Sequence, residues 1–157
     1  MRTLIVCVSV SHGNTRKVAD ALAEELGARV VEPEDVRPED VPDHDLVGFG
    51  SGIFYMRPHR RLLDLVDRLP DGGGTKAFTF ATSGSSGFPG LPYTRSLDKA
   101  LTRRGYDVID TFSCRGWDTW LPLRVVGGVN RGHPDGADLA RARTFARSVA
   151  EAVAPRS

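Results

Sequence analysis

The sequence is short of most features that assign a protein quickly. Its 157 residues include two cysteines, Cys7 and Cys114, far apart and in no CxxC or zinc spacing. A disulfide framework and a zinc knuckle are thereby excluded, and a buried thiol inside an apolar run is the expectation for Cys7. There is no excess of one charge: 21 basic residues stand against 20 acidic ones, a formal net charge of +1. No global field steers such a chain to nucleic acid or to an anionic membrane, so neither is expected as a partner. No apolar run approaches the about 18 residues of a membrane span. The stretch after Met1-Arg2-Thr3 is also too short for a signal-peptide core, so a reduced, cytoplasmic protein is expected.

Catalytic signatures are missing as well. No lysine follows a glycine in the frame GxxxxGK[ST], which removes a P-loop. The Cys-x5-Arg of a thiolate phosphatase fails, because Gly13 stands six residues after Cys7. A receiver domain needs clustered aspartates after its first strand, where this chain has serines and His12. Gly50-Ser51-Gly52 supplies two glycines of a dinucleotide fingerprint, with Tyr55 in place of the third. His12, His44, His59 and His133 share no metal spacing, no Ser-His-Asp set can be singled out, and no internal repeat is visible.

What is present is periodicity. The continuous run Thr3 to Val8 suits a buried parallel strand. A helix follows from Thr15 to Leu26, with Val18, Leu22 and Leu26 on one face and Gly27 as its stop. Ala28 to Glu32 reads as a second strand. Pro33, Pro38 and Pro42 are spaced too closely for a regular element, so Pro33 to Asp45 is expected as a surface connection. Leu46 to Ser51 is the third strand, followed by a loop from Gly52 to Arg57, with Pro58 suited to the first turn of a helix. In that helix Leu62, Leu65, Val66 and Leu69 recur at helical spacing. Lys76 to Ser83 is the fourth strand, Tyr93 to Arg104 a helix, and Tyr106 to Ser113 the fifth strand. A long connection from Cys114 to Pro134 carries Trp117 and Trp120 and is expected to be functional. Asp135 and Asp138 resemble a capped helix start, and Leu139, Ala142, Ala146, Val149 and Val153 share one face of the last helix.

Strand and helix thus alternate five times without adjacent hairpins. That order predicts one α/β domain over residues 1–154, a parallel sheet covered by helices on both faces. Ligands in such sheets sit outside the carboxyl ends of the strands. The loops leaving Val8, Ser51, Ser83 and Ser113 are those of unusual composition. The first, Ser9-Val10-Ser11-His12-Gly13-Asn14-Thr15, runs from a strand into a helix start. Orphan N–H groups, the helix dipole and serine and threonine hydroxyls make it a phosphate cradle without the P-loop lysine; Gly13 permits close approach and Asn14 can cap the helix. The loops Gly52 to Met56 and Thr82 to Gly90 add apolar surface and backbone groups for a flat ring, with Phe54, Tyr55, Phe88, Trp117 and Trp120 able to stack.

Ser9-x-Ser11-x-Gly13-Asn14-Thr15 after the first strand and Phe49-Gly50-Ser51-Gly52 after the third resemble the flavodoxin family. The stretches Gly50 to Tyr55 and Ser113 to Trp120 resemble a short bacterial and archaeal branch of flavodoxin-like proteins. The resemblance covers essentially the whole chain. It implies a three-layer sandwich around a five-stranded parallel sheet of order 2-1-3-4-5, binding FMN noncovalently. It assigns the phosphate to Ser9, Ser11, His12, Gly13, Asn14 and Thr15. It assigns the isoalloxazine to Ser51, Gly52, Ile53, Phe54 and Tyr55 and to Thr82, Ser83, Gly84, Ser85 and Gly87.

The chain departs from the family's electron carriers in having His12 in the phosphate loop and in its near-neutral charge. Carriers are generally acidic, whereas Arg57, Arg60, Arg61, Arg103 and Arg104 form basic clusters here. Three functions follow. The first is electron transfer through FMN to an unidentified redox partner or small-molecule acceptor. A backbone carbonyl of a Gly50–Gly52 turn would then accept a hydrogen bond from the reduced ring. The second is an FMN-dependent NAD(P)H:quinone-type reductase, with Cys114, Arg115 and Trp117 at the substrate. The third is a flavin-free interaction module. No catalytic side chain and no metal ligand is assigned.

Overall fold

A computed structural model describes residues 1–10, 13–54, 57–83, 94–115 and 134–155, with Phe54 and Arg115 placed by their backbone. Six strands form the sheet: β1 (Thr3–Val8), β2 (Arg29–Val31), β3 (Leu46–Phe54), β4 (Arg57–Pro58), β5 (Lys76–Ser83) and β6 (Asp107–Arg115). Four helices accompany them: α1 (Asn14–Leu26), α2 (Arg60–Arg68), α3 (Arg95–Arg103) and α4 (Gly136–Val153). The long strands run parallel in the order β2-β1-β3-β5-β6, which is the expected 2-1-3-4-5 order of a flavodoxin-like sheet. The short β4 turns back antiparallel on β3, pairing Ile53 with Pro58 and Phe54 with Arg57.

Alternation along the strands divides the core into two. Ile5, Cys7, Phe78, Phe80, Phe112 and Cys114 face α1 and α4, while Leu4, Val6, Val8, Val47 and Phe49 face α2 and α3. The helices present the faces read from their periodicity: Leu62, Leu65 and Val66 of α2, with Leu69 just beyond it, are buried, as are Ala142, Ala146 and Val149 of α4. Each such leucine contributes about 1.5–3 kcal/mol of burial. The start of α4 is a capping box, with Asp135 Oδ1 accepting from Asp138 N and Asp138 Oδ2 from Asp135 N, both at 2.9 Å.

Glycine shapes the middle of the sheet. Gly48 and Gly50 of β3 lie opposite Phe78 and Phe80 of β5 in the ladder. A Cβ on Gly48 would fall 2.4 Å from the Phe78 ring, and one on Gly50 would fall 2.2 Å from the Phe80 ring. The two rings lie across β3, continuing through Phe145 of α4, whose ring centroid is 5.8 Å from that of Phe78. These glycines are absences of side chain that two phenylalanines fill.

Four local expectations are corrected. The third strand does not stop at Ser51 but runs to Phe54, so Gly50-Ser51-Gly52 is ladder and not turn. Pro58 lies in β4, and His59 caps α2 instead, its Nδ1 accepting from Arg61 N at 3.0 Å. Asn14 is the first residue of α1, with Gly13 at the cap. The proline-rich connection contains two 3-10 turns, Pro33–Asp35 and Pro38–Asp43, because proline at the first positions needs no donor there. Among the described residues no helix is long and apolar enough to cross a membrane.

Candidate functional site

Because β1, β3, β5 and β6 are parallel, their carboxyl ends open on one edge. Val8 pairs with Ser51, Gly52 with Thr82, and Thr82 with Cys114, so the four loops singled out in the sequence leave the sheet side by side. Of the predicted contacts, Ser11, His12, Tyr55, Gly84, Ser85, Gly87 and Trp117 lie outside the described residues, as do Phe88 and Trp120.

The first of these loops enters α1 through Gly13, whose φ of 65° and ψ of 23° lie in the left-handed region. A β-branched side chain is strained there. The cap residue offers no side chain to the first turn. Ser9 reaches across instead, its Oγ accepting from Arg16 N at 3.1 Å. No acidic residue lies in that first turn; Arg16 and Lys17 do, with Arg16 Nε on Asp20 at 2.8 Å. Two cations at a helix N-terminus oppose its dipole, and an anion at the same place would relieve both.

Thr15, in that first turn, is 2% exposed, and its Oγ1 lies 2.8 Å from Oγ1 of Thr82, itself 4% exposed. The bond ties the start of α1 to the end of β5 across 67 residues of sequence. Ser83, the last residue of β5, is half-buried beside it.

Within β3, three residues before its end, Ser51 is buried. Oγ donates to the Gly52 carbonyl at 2.8 Å and accepts from His59 N at 3.0 Å. Ser51 thus holds the β3–β4 hairpin against the start of α2, while Gly52 and Ile53 are half-buried on the strand. Burial, and next the Arg61 charge, push the His59 imidazole below its ordinary range.

Cys114 and Arg115 belong to β6 rather than to the long connection. Cys114 is packed in the core toward α4, and burial pushes its thiol up to about 12. Cys7 is likewise buried in its strand, with its thiol pushed up to about 12 by desolvation. Burial disfavours the nucleophilic thiolate at both positions. Among the described residues no cluster of histidine, cysteine, aspartate and glutamate fits a metal ion.

One polar cluster inside the fold is not visible in the sequence. Asp98 of α3 accepts from Thr79 Oγ1 at 2.7 Å and from Thr94 and Thr111 Oγ1 at 3.3 Å each. Desolvation raises its carboxyl above the ordinary range despite the three hydroxyls. Thr79 and Thr111 come from β5 and β6, so local spacing announces only Thr94, four residues before Asp98.

Comparison with known proteins agrees with this architecture. A family profile described as a flavodoxin domain matches residues 5–114. An uncharacterised protein of Methanocaldococcus jannaschii is 34% identical over 151 residues, covering 95% of this chain and 98% of that one. Among solved structures, a flavodoxin of Streptococcus pneumoniae superposes with a TM-score of 0.73 at 15% identity, covering 97% of this chain and 99% of that chain. Flavodoxin 1 of Bacillus cereus gives 0.72 at 16% identity, covering 96% and 98%. At such identities the superpositions establish the fold alone, whereas the profile covers most of the sequence. The chain belongs to the flavodoxin domain family.

Proposed function

We propose that this protein binds FMN noncovalently at the carboxyl edge of its sheet and passes electrons through it to a redox partner or small-molecule acceptor. The observation that carries the reading is the Thr15–Thr82 hydroxyl bond, which joins a helix start suited to phosphate to the strand end suited to a ring. The residues present fit the group. Gly13 opens the chain at the start of α1, where a Cβ would meet nothing within 4 Å, and no carboxylate in the first turn competes with an anion. Ser9, Ser11, His12, Gly13, Asn14 and Thr15 would hold the phosphate, and the segments 51–55 and 82–87 would hold the ring.

Bound there, FMN would supply one- and two-electron redox chemistry. The protein's share is binding and orientation. The first turn of α1 offers backbone N–H groups to the phosphate. The Thr15–Thr82 bond keeps the two loops at a fixed separation, and the Ser51 clamp holds the β3–β4 hairpin beside them. Gly50, Ser51 and Gly52 are paired in the ladder with Phe80, Ala81 and Thr82 and form no turn whose peptide could flip toward the ring. A reduced cytoplasm suits the two buried free thiols.

The test is phosphate-specific. Titration of apoprotein with FMN and with riboflavin, which lacks the phosphate, measures the cradle alone. Gly13→Val and Asn14→Lys are expected to abolish FMN retention while far-UV circular dichroism stays native. Unchanged FMN affinity in either variant would place the phosphate elsewhere.

A further inference from the structure

The five arginines of the basic clusters do different work. Arg61 is absorbed by structure: it meets Glu34 at 2.5 Å and Glu32 at 3.0 Å. Arg104 donates to the backbone carbonyls of Leu69 and Asp67. Arg60 is 90% exposed and makes one long contact, 3.8 Å to Asp64. Arg57 and Arg103 are exposed and make no ion pair among the described residues. The three arginines left over line one cleft of about 720 Å³ between β4, α2 and α3.

The rest of that cleft is mixed. Leu63 and Ala100, both half-buried, give it an apolar wall, and the exposed carboxylate of Asp67 stands on the same lining. Val10, from the first loop, also lines the cleft. With the terminal Met1 it is one of the two large apolar side chains left exposed among the described residues. The volume can admit a small molecule, in a cleft that is half open to solvent. Guanidiniums match phosphate oxygens bidentately, a carboxylate can accept from ribose hydroxyls, and an aliphatic wall suits a base. Asp64 and Asp67 on the lining repel any polyanion alike, and an acidic protein surface needs none of the concavity.

We infer that this cleft is a second binding site, for a ligand carrying a nucleoside diphosphate, with Arg57, Arg60 and Arg103 on the phosphates. The ligand is either a free nucleoside diphosphate or the same half of a pyridine dinucleotide. Occupancy of the cleft does not require the flavin, so this inference and the proposed function fail separately.

Isothermal titration of the whole protein, saturated with FMN if it binds it, tests the inference with ADP, adenosine, NADPH and poly-L-glutamate as probes. ADP is expected to bind at least tenfold tighter than adenosine, and added salt to weaken it. Arg57→Ser/Arg103→Ser should cost at least tenfold in ADP affinity. These side chains are exposed, so native circular dichroism is expected in the variant. NADPH binding tighter than ADP assigns the dinucleotide, and equal affinity assigns the free diphosphate. Gly13→Val, outside the cleft, should leave ADP affinity unchanged. The inference is overturned if ADP and NADPH give no heat at millimolar concentration or if the double variant binds ADP as wild type does. It is also overturned if Gly13→Val removes ADP binding, which would put the phosphates on α1. Binding of poly-L-glutamate without ADP would make the cleft an acidic-protein surface instead.

Discussion

Gly50→Ala is the sharpest probe of how the sheet is built. In a strand with open space above it, replacing glycine by alanine stabilises, because glycine costs roughly 0.5–1 kcal/mol in an element interior. Here the new Cβ would fall 2.2 Å from two carbons of the Phe80 ring, and 2.4 Å from a third. Phe80 cannot swing away freely: it is fully buried, and its centroid lies 6.1 Å from that of Phe78. Overpacking of this kind costs about 1–3 kcal/mol. With a urea slope of about 1–3 kcal/mol/M, the midpoint of unfolding should fall by roughly 1 M. The sign already decides, since relief of glycine entropy and a ring clash act in opposite directions. Phe80→Ala alone should cost about 3–5 kcal/mol by leaving a cavity. In the double variant the alanine methyl occupies part of that cavity, so the two losses should fall short of additivity by at least about 1 kcal/mol. A Gly50→Ala protein as stable as wild type, or an additive double variant, would refute the packing argument.

Two further outcomes concern buried polar groups. Thr82→Val leaves the Thr15 hydroxyl without its 2.8 Å partner and should cost about 1–3 kcal/mol in thermal unfolding, with Thr15→Val/Thr82→Val costing less than the sum of the single changes; additive losses would mean that the two hydroxyls do not act as a pair. For Asp98, whose folded-state carboxyl is raised above its unfolded value, the native state holds the extra proton between the two, so its contribution is greatest at low pH and declines as pH rises through the raised value. Urea unfolding from pH 3.5 to 7 should therefore show the wild-type advantage over Asp98→Asn shrinking as pH rises, and an advantage that grows would contradict the assignment.

The sequence was most legible where one local rule decides the structure. The α2 stripe of Leu62, Leu65, Val66 and Leu69, the Asp135–Asp138 box and the alternation of strand and helix each follow from spacing alone, and the strand order follows from the family resemblance. Glycine was harder to read, because the letter does not say whether it serves a positive φ or a neighbouring ring. Gly13 serves the first, with φ at 65°, whereas Gly48 and Gly50 serve Phe78 and Phe80 some 30 residues on, so a strand looked like a turn. Pro58 was misread for a similar reason, since a proline suits both a first helical turn and a short edge strand. At the candidate site, the loops and their shared edge were visible in composition, but the contacts that lock them were not. Thr15 with Thr82, and Asp98 with Thr79 and Thr111, join segments whose proximity exists only after the sheet has formed, and Ser51 meets His59 only once the β3–β4 hairpin has turned.

The proposed FMN site is the edge built from the ends of β1, β3 and β5. The visible absorption spectrum of the purified protein, followed by titration of the apoprotein with FMN, tests it most directly. A yellow protein with flavin bands is expected, or an apoprotein that takes up one FMN per chain with a shifted spectrum. A colourless protein that binds no added FMN would contradict it.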